Sequence, residues 1–129
     1  MTDNPFPEEV NEPENLGFIF IILPGPIHPE EREAKFGDPL DSDLRVAGLG
    51  FVSGGGSLLS APDENGESSI IYAAVDVDTI DIETARGLLR DNLPDLGCPE
   101  GTRIQFGDLQ DRFEDGEWSI NETRNEPPR

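Results

Sequence analysis

The run Gly17-Phe18-Ile19-Phe20-Ile21-Ile22-Leu23, stopped by Pro24-Gly25-Pro26, constrains the fold more than any other stretch of the chain. β-Branched and aromatic side chains fill it without alternation, so a strand built from it is apolar on both sides of its pleat. It predicts a central strand buried on both faces, and it is far too short to cross a bilayer as a helix. Such a strand needs partners along both edges and cover above and below. The rest of the chain has to supply them.

The second strong strand is SIIYAAVDVDT, 69–79, with Ile70, Tyr72 and Ala74 on one face and Ile71, Ala73, Val75 and Val77 on the other. Residues 45–52, RVAGLGFV, predict a strand interrupted by glycines and followed by SGGGSLLS. Glycines in a strand pattern mark bulges or close backbone approach. The polar loop APDENGES, with its Asn65-Gly66 turn signal, makes these two strands an antiparallel hairpin. Between the first strand and this hairpin lies HPEEREAKFGDPLDSDL. Pro29 suits a first helical turn, and Glu30, Glu31 and Glu33 favour its positive end. Gly37-Asp38-Pro39 then splits the segment into a short helix and a second short turn.

Asp81–Leu93 is the clearest helix: Asp81 caps it, and Ile82, Ala85, Leu88, Leu89 and Leu93 form one apolar stripe before Pro94 ends it. TRIQF, 102–106, is a short last strand in which Ile104 and Phe106 alternate with Arg103 and Gln105. The order strand, helix, strand, strand, helix, strand is that of the ferredoxin-like split βαβ unit (β-α-β-β-α-β). The expected fold is therefore α+β, a four-stranded antiparallel sheet with two helices on one face. Residues 1–15 carry three prolines and five acids with no period and read as a disordered acidic arm. Residues 16–107 form the expected domain. Residues 108–129 read as a polar C-terminal extension, partly docked through Phe113, Trp118 and Ile120 or adding an edge strand.

Charge sets the class of partner. Nine Lys+Arg against 28 Asp+Glu give a formal net charge of −19. That field repels the phosphates of nucleic acids and membranes and steers encounter with basic proteins, and it also serves plain solubility. A basic protein partner is expected, with no nucleic acid and no membrane, and a homodimer stays open. The first residues are acidic and proline-rich where a secretory leader would be basic and then apolar, so cytoplasmic residence is expected.

Catalytic residues are not expected. The single histidine, His28, sits in a proline-flanked loop, and Cys98 lies in a Gly-Cys-Pro turn without a neighbouring His or Lys. No serine has a nucleophile-elbow setting, and one His with one Cys cannot build a structural zinc site. No metal or cofactor is called for. Asp76 and Asp78 share a face at the end of their strand, where a cation site or an acid–base pair competes with a simple approach to the Asp81 cap. Ser53-Gly54-Gly55-Gly56-Ser57 is followed by no GKS or GKT, so it is not a phosphate loop. It is either a bulged edge strand or backbone displayed to a partner. The candidate partner-binding residues are thus Phe51, Ser53, Gly54, Gly55, Gly56, Asp76, Asp78 and Trp118, with Phe51 and Trp118 as aromatic anchors.

The stretch GLGFVSGGGS, preceded by FGDPLDSDL and followed by SIIYAAVDVD and ETARGLLRDNL, resembles small bacterial proteins that share a Gly-rich strand and a ferredoxin-like core. Several proteins of this type are immunity proteins found beside toxins of bacterial competition systems. The resemblance spans about residues 17 to 107. It transfers no catalytic residues and implies an acidic inhibitor that neutralises a basic toxin by occluding it. Two alternatives stand beside it: a small-ligand-binding regulatory domain whose pocket the Gly-rich strand and His28 would line, and a metal-dependent enzyme using Asp76 and Asp78.

Overall fold

A computed structural model describes residues 16–125, so the expected acidic arm at 1–15 and the last four residues lie outside it. Strand β1 (Gly17–Pro24) takes a partner on each edge, β3 (Ile70–Thr79) and β4 (Arg103–Phe106), both antiparallel. β2 (Gly50–Leu59) pairs with β3 across the 60–69 loop. The chain does not stop at four strands. β5 (Leu109–Glu114) and β6 (Glu117–Thr123) extend the sheet to six, in the order β2-β3-β1-β4-β5-β6.

The six-stranded sheet corrects the expected four-stranded one, although the mixed α+β character stands. The cause is two tight turns. Gly107 (φ 55°) begins the two-residue loop that sets Phe106 opposite Leu109. Asp115 (φ 55°) and Gly116 (φ 76°) both take positive φ between the paired Glu114 and Glu117. These are the primed turns whose twist matches that of the flanking strands.

Helix α1 is also longer than its sequence suggests. It runs from Pro29–Glu31 through a wide π-helical stretch, Arg32–Gly37, into Asp38–Val46. In the wide stretch the Asp38 N–H donates to the Glu33 carbonyl, five residues back. Pro39 explains the widening, since its ring would strike the Lys35 carbonyl and it has no N–H to offer it. Arg45 and Val46, expected to open a strand, instead close this helix. Leu49 N–H donates to the Leu44 carbonyl and Gly48 N–H to the Arg45 carbonyl, the paired bonds of a Schellman stop. Helix α2 (Ile82–Asp95) is capped by the Asp81 side chain, which accepts from the Thr84 N–H. Pro94 sits within its last turn rather than ending it.

Both helices lie on one face of the sheet. Ile19, Ile21, Leu23, Ala73, Val75, Val77 and Ile104 point from the strands at Phe36, Leu40 and Leu44 of α1 and at Ala85, Leu89 and Leu93 of α2. The added hairpin is fastened to this layer by charge. Asp111 on β5 is fully buried, and its carboxylate accepts from Arg86 Nε (3.0 Å) and Nη2 (2.8 Å), Arg90 Nη1 (2.9 Å) and the Asn121 N–H (3.0 Å). The Arg86 guanidinium lies 3.8 Å from the centre of the Phe106 ring. Asn121, at φ 61°, occupies a bulge of β6 opposite Asp111 and also accepts from Arg86 Nη2. Next to this network Trp118 packs at a tilt against Phe113 and donates to the Arg90 carbonyl.

Removing one partner of a buried ion pair strands the other. Asp111→Ala is expected to lower unfolding stability by about 3–5 kcal/mol in a urea titration. The emission of Trp118, the chain's single tryptophan, should shift before the rest of the structure melts. A loss below about 1 kcal/mol would show that the hairpin docks without the pair.

Candidate functional site

β1 is apolar on both sides, yet among the described residues helices cover only one. On the other side stand Phe18, Phe20 and Ile22 of β1, and the register places Asp78, Asp76 and Ala74 of β3 directly opposite them. Ile22 and Ala74 are buried by their neighbours on the sheet, but Phe18 is 50% exposed, and its ring stacks on Phe20 at 6.4 Å. Side-chain alternation along a strand forces this arrangement. An unbroken apolar run must show one of its faces wherever a second layer is absent. The result is a strip in which aromatic rings alternate with carboxylates.

The glycine strand borders this strip. Gly54 faces Asp76 and Gly56 faces Ala74 across the β2–β3 ladder, with a bulge at Ser53 that resets the register. The absent side chains leave a hollow of about 230 Å³ lined by Phe20, Gly55, Gly56, Ser57, Leu58, Tyr72, Ala74 and Asp76. A second hollow of about 360 Å³ adjoins it, sharing Tyr72 and bounded by Ile22, Glu100, Arg103 and Glu114 among others. Gly55 points the other way, toward α1. A Cβ there would lie 2.7 Å from the Ala74 carbonyl oxygen and 3.1 Å from Arg32 Nε, so the strand and the arginine are packed against bare backbone.

The outer edge of β2 is partly occupied. The Val52 N–H donates to Asp41 Oδ1 (2.9 Å), and Arg32 Nη1 donates to the Gly56 carbonyl (3.0 Å). Burial raises the Asp41 pKa, but the Val52 N–H and Arg45 outweigh it and hold the carboxyl below the usual range. With two outward backbone groups taken by α1, this edge offers less to an added strand than its glycines suggest.

The far half of the same face is polar and internally paired. Arg112 binds Glu122 through Nε (3.0 Å) and Nη2 (2.7 Å) and also contacts Glu114. Gln105 donates to Gln110, which donates to Glu122. The bond from Arg112, and then that from Gln110, holds the Glu122 carboxyl below its ordinary value. Arg103 and Gln105 both donate to Asn125 as the chain leaves β6. By contrast, neither Asp76 nor Asp78 takes part in a side-chain hydrogen bond or ion pair among the described residues. Partial burial pushes the Asp76 pKa up, Asp78 adds to the effect, and Arg32 opposes it.

Of the residues expected from sequence, the structure brings Phe51, Gly54, Gly56, Asp76 and Asp78 to one face, with Ser53 exposed at the bulge. The Phe51 ring is capped by the Arg45 guanidinium at 5.4 Å, which limits it as an anchor. Trp118 is on the opposite side, packed against the core beside α2, and Gly55 turns under Arg32. His28 is an exposed residue at the start of α1 and lines neither hollow. Phe18, Phe20, Tyr72 and Arg103 complete the site and were not anticipated as binding residues. Among the described residues no three His, Cys, Asp or Glu side chains converge as a metal site, and no helix is long and apolar enough to cross a membrane. No known protein family, curated protein or solved structure matches the chain.

The raised pKa of Asp76 carries a signed consequence. The folded state binds more protons than the unfolded state between pH 3.8 and the raised value, so stability falls as pH rises through that window and stays lower above it. Asp76→Asn is therefore expected to raise the melting temperature slightly at pH 7, with the gain vanishing below about pH 3.8. A lowered melting temperature at pH 7 would mean that the carboxylate makes a stabilising contact.

Proposed function

We propose that this chain is a non-enzymatic binding protein, an acidic inhibitor of the immunity type that uses the uncovered face of its sheet to occlude a basic toxin protein. One observation carries the reading. An aromatic strip lies open beside two carboxylates without partners among the described residues, on a molecule of net charge −19. Aromatic side chains that need only be desolvated supply affinity at protein interfaces, and the surrounding charge raises the encounter rate with a basic surface. A toxin that acts on a polyanion, such as a nuclease, has the cationic cleft that this face complements. The likeness of the 17–107 sequence to immunity proteins supports the same reading, and on that reading the protein acts in the cytoplasm, where such toxins meet their targets.

The test is a tagged pull-down from the native organism, washed at low and then high salt. A basic protein should be retained at low salt and reduced at high salt, because screening shortens the reach of the acidic field. Phe20→Ala combined with Asp76→Asn should lose it, while Glu30→Gln on the exposed side of α1 should keep it. A partner retained by the double variant, or indifferent to salt, would overturn the reading.

The larger hollow favours a second reading, a small-ligand regulatory domain. Its volume of about 360 Å³ is within the range of small-molecule sites, and it joins apolar Ile22, Pro24 and Tyr72 to the charged Arg103, Glu100 and Glu114. A metabolite present at a hundred times its dissociation constant would stabilise the fold by about 2.7 kcal/mol, readable as a thermal shift. Flat melting curves across a metabolite panel would remove this alternative.

A further inference from the structure

We infer that the smaller hollow on the open face receives an arginine side chain of the protein partner, its guanidinium lying over Ala74 and Gly56 and reaching the Asp76 carboxylate. The inference rests on the binding-face reading above and assigns the chemistry of its central contact. The floor is flat and small, because Gly56 and Ala74 stand opposite each other in the β2–β3 register. Tyr72 and Leu58 close one end, and Asp76 stands at the other with Phe20 across from it on β1.

Each wall suits a guanidinium. The group is planar, stacks on aromatic faces, sheds water more readily than an ammonium, and meets a carboxylate through two parallel N–H bonds. Among the described residues no lysine or arginine lines the hollow. Arg32, whose charge reaches Asp76 from the α1 side, is committed to the Gly56 carbonyl and to Glu33. Partial burial and the neighbouring Asp78 both disfavour the ionised Asp76, so an incoming cation relieves a cost already present in the free protein. A lysine would satisfy the charge but leave the flat floor and the rings without a complementary surface.

Backbone amide NMR of the full chain tests this, with N-acetyl-arginine amide, N-acetyl-lysine amide and the neutral N-acetyl-citrulline amide as probes. The arginine probe should shift the amides of Gly56, Tyr72 and Ala74 saturably, and the other two should bind at least about tenfold more weakly. Asp76→Asn and Gly56→Leu should each weaken the arginine probe by at least about tenfold. A Cβ added at Gly56 meets no atom within 4 Å, so the leucine is accommodated and fills the hollow. Shifts scattered over the acidic surface, equal for arginine and lysine and unchanged in both variants, would overturn the inference. A flat titration beside a partner still captured through this face would remove the arginine hollow and leave the binding face standing. A saturable titration with no partner captured would support the hollow and count against the inhibitor.

Discussion

The buried pair of Arg86 and Asp111 is the constraint on which the extended sheet depends. β5 and β6 are mostly polar, and an isolated two-stranded hairpin is marginal in water. Phe113 and Trp118 give this hairpin a little apolar surface to dock with, and the carboxylate of Asp111 supplies the rest. Burying a charge is costly unless every lone pair is used. Here four N–H donors converge on Asp111, while Phe106 covers the guanidinium of Arg86. The β6 bulge belongs to the same solution, because it turns the Asn121 N–H toward the carboxylate. Helix α2 thereby holds β1 through its apolar stripe and the hairpin through its arginines.

That attachment shapes the face opposite the helices. Without β5 and β6, β4 would be an edge strand, and Gln105 and Arg103 would lack the Gln110 and Arg112 neighbours that the ladder now gives them. With them, the sheet divides into a polar half whose charges are mutually paired and an aromatic half whose carboxylates have no partner among the described residues. The glycine strand acts on both halves of the problem. Toward α1 it admits Arg32 against bare backbone, and toward the open face it leaves the hollow beside Asp76. Asp41 and Arg32 occupy part of its outer edge, which leaves fewer free backbone groups for strand addition.

Much of the architecture was legible in the sequence wherever burial is apolar and periodic. The Phe18–Leu23 run, the Ile70–Thr79 strand and the stripe of Ile82, Ala85, Leu89 and Leu93 all fall within the elements they predict. The continuity of α1 was hidden because Gly37-Asp38-Pro39 reads as a break, whereas a widened turn carries the helix through it. Beyond Phe106 the sequence suggests docking or one edge strand, and the full β5–β6 hairpin was hidden because a charged pair, rather than an apolar stripe, holds it to the core. Their signals were present as Gly107-Asp108 and Asp115-Gly116, two turn dipeptides separated by one strand length. At the site, the shared face of Asp76 and Asp78 followed from alternation alone. Phe18, Phe20 and Tyr72 escaped because an unbroken apolar run reads as covered on both sides, and nothing local shows that the described residues cover only one. Trp118 docks, as its apolar ring in a polar segment suggests, but it docks on the helix side and so does not serve as an anchor on the open face.

The most direct test of the central claim is hydroxyl-radical footprinting of the protein alone and in complex with a basic protein recovered in the pull-down. Oxidation of Phe18, Phe20 and Tyr72 should slow markedly in the complex, while that of the exposed Val46 at the end of α1 should not change. Unchanged oxidation of the three rings, with protection on the helix side instead, would contradict the assignment of the open sheet face as the binding surface.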